Sequence, residues 1–167
     1  FYTSLGAGSR GGGFLMATLD HQHKFAGREG HELTATFDIS RRDGADSSLS
    51  LMFGSGGDTT SGQLTTEAGP GGRLSLQADY ALPLRTEDKF EAGYSARFHS
   101  DQETTYYSEY RTDSGYVLRP EYSFAGDFRE QVHALYATYS AQFGKFGVKP
   151  GARVEYDDRT TRMDSAA

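Results

Sequence analysis

The chain has 167 residues, of which 36% are hydrophobic, 24% charged and 13% aromatic, and it contains no cysteine. The length allows one domain, the lack of cysteine excludes a disulfide scaffold and cysteine-ligated metal sites, and the aromatic content argues against disorder. With a net charge of −6, the chain has no basic surface of the kind that binds nucleic acid, so we expect no nucleic-acid partner.

A glycine-rich stretch lies near the N-terminus, and residues 6–11 (GAGSRG) match the dinucleotide-binding fingerprint literally. That fingerprint functions only between a buried strand and the start of a helix. Gly12 and Gly13 follow it, and a helix does not open with two glycines. We therefore interpret the stretch as a flexible loop and expect no cofactor.

Hydrophobic and polar residues alternate over most of the remaining chain. In residues 31–39, Leu33 and Phe37 fall on one face and Glu32 and Asp38 on the other, which is the period of a β-strand. The same alternation recurs in residues 14–25, 47–53, 73–84, 89–100, 104–110, 132–143 and 146–156. These segments predict about seven or eight strands. No segment has a helical period, so we predict no helix.

The segments between these strands contain turn residues. Asp43-Gly44 in residues 42–46 predicts a tight hairpin. Residues 85–88 and 144–145 predict short connections, whereas residues 54–62, 69–72 and 101–123 are longer and polar. Short turns at one end and longer excursions at the other are typical of a membrane barrel. The predicted fold is an all-β, antiparallel, up-and-down transmembrane β-barrel.

The polar faces of the strands carry charges of both signs in mid-strand, as a hydrated barrel interior allows. We expect five of these charges to face the lumen: Arg73, Glu91, Arg97, Arg153 and Glu155. The apolar face mixes alanine with leucine and aromatic residues and suits contact with lipid. A soluble β-barrel, with the apolar face inside and a small ligand bound there, remains an alternative.

The sequence contains candidate residues for metal binding and for catalysis. His21 and His23 share a strand face at a spacing that can chelate a metal, but that face is otherwise apolar, so we expect no metal. No nucleophile motif is present, and adjacent acids such as Asp157 and Asp158 point to opposite faces of a strand. We therefore expect no catalytic residues and no enzyme.

An aromatic stretch lies in the segment predicted to project beyond the membrane. Tyr106, Tyr107, Tyr110 and Arg111 form a candidate ligand-binding surface, because tyrosine and arginine are favoured contact residues. The other interpretation is a pair of extended strands with an aromatic belt.

Residues 129–156 resemble a signature stretch of TonB-dependent outer-membrane receptors, in particular of the branch described as an outer-membrane β-barrel family. The residues that carry the resemblance are Ala134, Tyr136, Tyr139, Ser140, Gly144, Lys145, Phe146, Gly151, Arg153 and Glu155. Residues 74–94 are similar to the preceding hairpin of that family, and residues 30–34 resemble an earlier strand start. The resemblance covers most of the chain beyond residue 30.

The resemblance implies the bacterial outer membrane, a barrel of 22 strands, and energised uptake of a scarce nutrient of the siderophore, glycan or peptide class. It implies outer-membrane lipid as the surroundings, TonB as a partner through a plug domain, and a surface lipoprotein as a further candidate partner. Residues 1–167 contain no pattern of a plug or a signal peptide, so we expect them to be a barrel segment of a larger wall. A self-contained eight-stranded barrel with a structural or adhesive role is the alternative.

Overall fold

The structure is a computed structural model that describes residues 2–84 and 88–166. Its strands form one antiparallel sheet. In chain order the elements are β1 (Thr3–Lys24), β2 (Glu32–Phe53), β3 (Thr59–Pro83), β4 (Lys89–Arg111), β5 (Gly115–Leu118), a 3₁₀ turn (Pro120–Tyr122), β6 (Phe124–Phe143), β7 (Phe146–Val148) and β8 (Gly151–Ser165). The prediction of an all-β, up-and-down arrangement is confirmed.

The eight strands occupy six positions across the sheet. β5 and β6 pair with successive parts of the same edge of β4, and β7 and β8 pair with successive parts of the same edge of β6. The order of positions is therefore β1, β2, β3, β4, β5 with β6, and β7 with β8. Among the described residues no pairing joins β1 to β8, so the sheet is open.

The hairpin predicted at residues 42–46 is wrong. These residues lie inside β2 and pair with β1 on one side and with β3 on the other. Gly44 lies between Gly12 and Gly69 in the neighbouring strands, and a Cβ on Gly12 would lie 2.4 Å from the carbonyl oxygen of Asp43. The glycines permit close backbone approach here, and both neighbouring strands satisfy the backbone groups that a turn would leave to solvent.

Four further expectations about connections and strand ends are corrected by the structure. Residues 6–13, predicted as a flexible loop, belong to β1, and residues 69–72, predicted as a polar connection, belong to β3. Residues 104–110, predicted as a separate strand, continue β4. The connection at 54–62 is also shorter than predicted, because the Gly54 N–H donates to the Asp58 carbonyl at 2.9 Å and β3 begins at Thr59.

The described residues that flank one predicted short turn lie at the same end of the sheet as the other short turn. Of the predicted turn at 85–88, residues 85–87 lie outside the described residues, and its flanks pair at Pro83 and Lys89. The turn at 144–145 closes the β6–β7 hairpin, where Gly144 has a φ of 61°. Residues 101–123 lie at the opposite end, although most of them extend the sheet instead of forming a loop.

The register separates the side chains into two faces. The apolar face carries, among others, Leu33, Phe37, Leu74, Leu76, Phe90 and Leu135, and the polar face carries Glu32, Asp38, Arg73, Glu91, Arg97 and Arg153. Four hydrophobic residues in the described part of the chain are buried, and none is larger than valine: Ala96, Val132, Ala134 and Ala141. Leu135 is 63% exposed. The apolar face is therefore not covered by a second layer of this chain.

The hairpin ends are staggered across the sheet. The β1–β2 hairpin ends at Lys24 and Glu32, and the row of paired residues through them reaches Thr138 of β6. The β6–β7 hairpin ends at Phe143, which lies five residues farther along β6 than Thr138. Over four strand steps, with ~3.3 Å per residue and ~4.8 Å between strands, this stagger corresponds to a tilt of about 40°. Strands of transmembrane barrels are tilted by a similar amount.

Candidate functional site: the polar face of the sheet

The polar face carries a line of hydrogen bonds and ion pairs that crosses from strand to strand. At its centre, the Tyr136 hydroxyl on β6 donates to the Asp79 carboxylate on β3. The tyrosine ring passes over Gly93 of the intervening strand β4, where a Cβ would lie 2.3 Å from the ring. Gln77 Nε2 also donates to Asp79, at 2.7 Å. Glycine at this position therefore allows one side chain to join two strands that are not neighbours.

Arginine and glutamate of β8 continue this cluster. The Arg153 guanidinium lies 5.9 Å from the centre of the Tyr136 ring, within the range of a cation–π contact. Its NH2 group donates to Glu155 Oε2 at 2.6 Å. Both side chains are about half exposed on the polar face, so the cluster is hydrated and not part of a dry core.

Glu91 connects two strands near the end of the sheet that has the short turns. Its Oε1 lies 2.7 Å from Lys89 Nζ and its Oε2 lies 2.9 Å from Lys149 Nζ. Lys149 lies between β7 and β8, which interrupt their pairing with β6 at that point. The carboxylate therefore fixes this interruption to β4.

Toward the other end, Glu130 lies between two arginines. Arg97 Nε is 3.6 Å from one of its oxygens, and Arg159 Nε is 3.0 Å from the other. Asp101 lies two residues beyond His99, which pairs with Glu130. It accepts a hydrogen bond from Arg42 at 2.8 Å and lies 2.8 Å from His99 Nε2. Charges of both signs thus meet on this face across four strands.

From the row of Asp101 onward the strands continue as an extension of the sheet, formed by residues 3–14, 42–53, 59–71, 101–118, 124–128 and 161–165. Arg10 and Asp46 join β1 to β2 there with a contact of 2.6 Å. The hydrogen bond from Arg10 holds the pKa of Asp46 below its ordinary value. At the β4–β5 hairpin, Arg119 donates to Glu109, and this bond raises the pKa of Arg119.

The sequence of residues 23–166 matches the outer membrane protein beta-barrel family. This match covers most of the chain and agrees with the tilted antiparallel sheet. The chain belongs to the outer membrane protein beta-barrel family. No curated protein matches the chain.

Membership in the outer membrane protein beta-barrel family locates the chain in the bacterial outer membrane. This location removes the soluble β-barrel from the alternatives and explains the uncovered apolar face, since lipid covers that face in a membrane barrel. None of the described helical segments is long and apolar enough to span a membrane.

In this family the polar face is expected to line the barrel interior. The structure puts all five charges predicted to face the lumen on that one face: Arg73, Glu91, Arg97, Arg153 and Glu155. That this face lines a lumen stays a prediction.

The predicted aromatic surface is divided between the two faces. Tyr107 lies on the polar face and contacts Tyr122 edge-on, with ring centres 5.5 Å apart. Tyr106 and Tyr110 lie on the opposite face, where Tyr110 contacts Tyr116. Arg111 ends β4 and pairs with Gly115. The four residues thus share one hairpin without forming one contact surface, and their role in ligand binding stays a prediction.

The two histidines and the two adjacent acids named in the sequence analysis lie on different strands, with His21 and His23 on β1 and Asp157 and Asp158 on β8. His21 and His23 lie on the apolar face of β1, beside Ala35 and Leu33 of β2. No group of three metal-binding side chains is found in the described ranges.

The contact between Tyr136 and Asp79 was missed by the sequence analysis. A signal for it exists in the sequence, because Gly93 occupies a polar-face position in the middle of an alternating strand. An isolated glycine inside a strand often marks the close approach of another group.

Proposed function

We propose that the chain forms part of the barrel wall of a TonB-dependent outer-membrane receptor that takes up a scarce nutrient of the siderophore, glycan or peptide class. Its contribution is a wall with a hydrated inner face, and it catalyses no reaction. The observation that carries the proposal is the open sheet of six strand positions. The resemblance of the β6–β8 hairpin to these receptors supports it.

The open sheet requires further strands for a physical reason. An unpaired backbone N–H or C=O in hydrocarbon costs several kcal/mol, so strands in a membrane occur in closed barrels. The smallest barrels of bacterial outer membranes have about eight strands, and this sheet has six positions. A wall of 22 strands, as in the receptors that the chain resembles, would pair the outer edges of β1 and β8 with further strands.

A cysteine-pair experiment distinguishes a larger wall from a small closed barrel, because the chain has no cysteine of its own. Ala17→Cys on β1 is combined in turn with Ala152→Cys, Val154→Cys, Tyr156→Cys or Asp158→Cys on β8. Ala137→Cys with Ala152→Cys is the positive control, since these residues are paired neighbours on β6 and β8. We expect the control to cross-link on oxidation in outer membranes and the β1–β8 pairs not to. An efficient cross-link between β1 and β8 would support the small barrel.

Dependence on TonB needs a separate measurement. The detergent-extracted product of the complete gene that encodes this chain is passed over the immobilised C-terminal domain of TonB from the same organism. We expect retention, because a receptor of this class contacts TonB through its plug. A product that flows through as an unrelated porin does would contradict the TonB-dependent assignment, even if the wall proves to be large.

A further inference from the structure

Two arginines lie in one row on the apolar side of the sheet, at the border between the apolar face and the charged extension. Arg41 of β2, Gly72 of β3, Ser100 of β4 and Arg129 of β6 occupy one row. The two residues between the arginines are small. The surface is therefore low at Gly72 and Ser100, and we call these two residues the floor. An arginine lies on each side of the floor.

The floor continues directly into the apolar face. Two residues closer to the short turns, the same side of the sheet carries Ile39, Leu74 and Phe98. These three side chains and both arginines line one cavity of about 370 Å³. An adjoining cavity of about 320 Å³ is lined by both arginines and by Gln102 and Asp127. The combined depression thus has an apolar part and a polar part, which is lined by the two guanidinium groups together with the Asp127 carboxylate and the Gln102 amide.

Both guanidinium groups are accessible. Their side chains are 68% and 66% exposed for Arg41 and Arg129, respectively. Arg129 donates to Asp127 at 2.9 and 3.3 Å, and Arg41 lies 3.7 Å from Asp43. A guanidinium group has five N–H donors, so each arginine keeps donors for a ligand.

We propose that this depression, the Arg41–Arg129 site, binds an anionic phosphorylated glycolipid of the outer leaflet. Arginine is the side chain best suited to phosphate, because its planar donors match two phosphate oxygens at once. Gly72 and Ser100 leave room for the headgroup between the arginines. Ile39, Leu74 and Phe98 lie where the acyl chains of the same molecule would run.

The position along the strands selects this lipid over other anions. The site lies at the end of the apolar face away from the short turns, and short turns of outer-membrane barrels face the periplasm. The site therefore borders the outer leaflet, whose anionic lipid is a phosphorylated glycolipid, and not the inner leaflet with its phospholipids. A soluble anion would gain nothing from the apolar half of the depression. The proposal rests on the outer-membrane location and not on nutrient uptake.

The test measures lipid binding to the detergent-purified product of the complete gene that encodes this chain, by native mass spectrometry. The probes are lipid A, phosphatidylglycerol and phosphatidylcholine at equal concentration. We expect lipid A to bind tightest, and Arg41→Gln with Arg129→Gln to weaken its binding at least tenfold. Gly72→Leu should also weaken it while leaving both arginines in place, because the leucine fills the floor. A heat-dependent shift in gel mobility checks that each variant is folded.

Arg97→Gln is the matched control, since Arg97 lies only three residues before Ser100 on β4 but on the polar face, and it lines neither cavity. We expect it to bind lipid A as the unchanged protein does. Unchanged binding in the double arginine variant, or an equal loss in the Arg97→Gln control, would overturn the proposal. Tighter binding of phosphatidylglycerol than of lipid A would overturn the choice of glycolipid.

Discussion

The Tyr136 hydroxyl reaches the Asp79 carboxylate across a strand to which neither residue belongs. Neighbouring strands are ~4.8 Å apart, so a side chain joins β6 to β3 only by lying flat on β4. Gly93 provides the space for the tyrosine ring. This contact joins three strands on the polar face and favours the observed register.

Gly93→Ala is expected to destabilise the barrel, because the new methyl group would occupy the position of the tyrosine ring. Overpacking of this kind typically costs about 1–3 kcal/mol, and here it also breaks the hydrogen bond to Asp79. The free energy of unfolding in urea, measured in lipid vesicles, tests this. In a Tyr136→Ala background the same substitution should cost clearly less, and an equal cost in both backgrounds would contradict the described contact.

The assignment of faces is testable with single cysteines, since the chain has none of its own. Leu76→Cys and Leu135→Cys lie on the apolar face and should react in outer membranes with a lipid-soluble maleimide but not with a charged one. Ser75→Cys and Ser95→Cys lie on the polar face and should react with the charged reagent. The reverse pattern would mean that the apolar face is turned away from lipid.

The β6–β7 turn is expected to depend on glycine. Gly144 has a φ of 61°, and a side chain in that left-handed conformation costs roughly 1–2 kcal/mol. Gly144→Ala should therefore lower the free energy of unfolding by about 1 kcal/mol, and Gly144→Asn by less, because asparagine tolerates the conformation. Gly13→Ala is the control, since Gly13 has no positive φ and no atom within 4 Å of an added Cβ. An equal loss at both positions would show that backbone conformation is not the cause.

The stability of the extension should depend on pH through Asp46. The hydrogen bond from Arg10 lowers the pKa of Asp46 from its ordinary 3.8. A carboxyl group with a lowered pKa stabilises the folded state above its ordinary pKa, and this contribution is lost as the pH falls through the folded value. We expect a pKa below 3.8 for Asp46 by NMR titration and a return toward 3.8 in Arg10→Gln. Lys145→Gln, at the opposite end of the sheet, should leave it unchanged.

The number of strand positions could have been predicted better from the sequence. Asp43-Gly44 suggested a chain reversal, yet the apolar positions before and after it keep the same parity, from Ile39 to Leu49 and Leu51. An uninterrupted strand preserves parity in this way. Phe98 and Tyr106 are likewise an even number of residues apart, which indicates that residues 89–100 and 104–110 belong to one strand, β4. The local turn signal of Asp43-Gly44 is weaker than the longer-range alternation, because pairing with β1 and β3 decides the structure.

The two faces and the charges on the polar face followed from alternation alone, because side-chain direction in a strand depends only on position. The partners with which these charges pair could not be predicted from alternation. Arg41 and Arg129 are far apart in sequence, and only the register of three strand pairs brings them to one row. The same holds for Tyr136 and Asp79, so both candidate sites required the pairing of strands.

The length of the strands determines how far the protein stands above the cell surface. β2 has 22 residues, which at ~3.3 Å per residue and a tilt of about 40° rise roughly 55 Å. The apolar band of such a barrel is ~25 Å tall, so roughly half of the strand stands in the layer of sugars outside the membrane. This extension is hydrogen-bonded sheet and not loop. Large molecules such as antibodies or phage fibres would therefore contact a rigid surface well above the lipid.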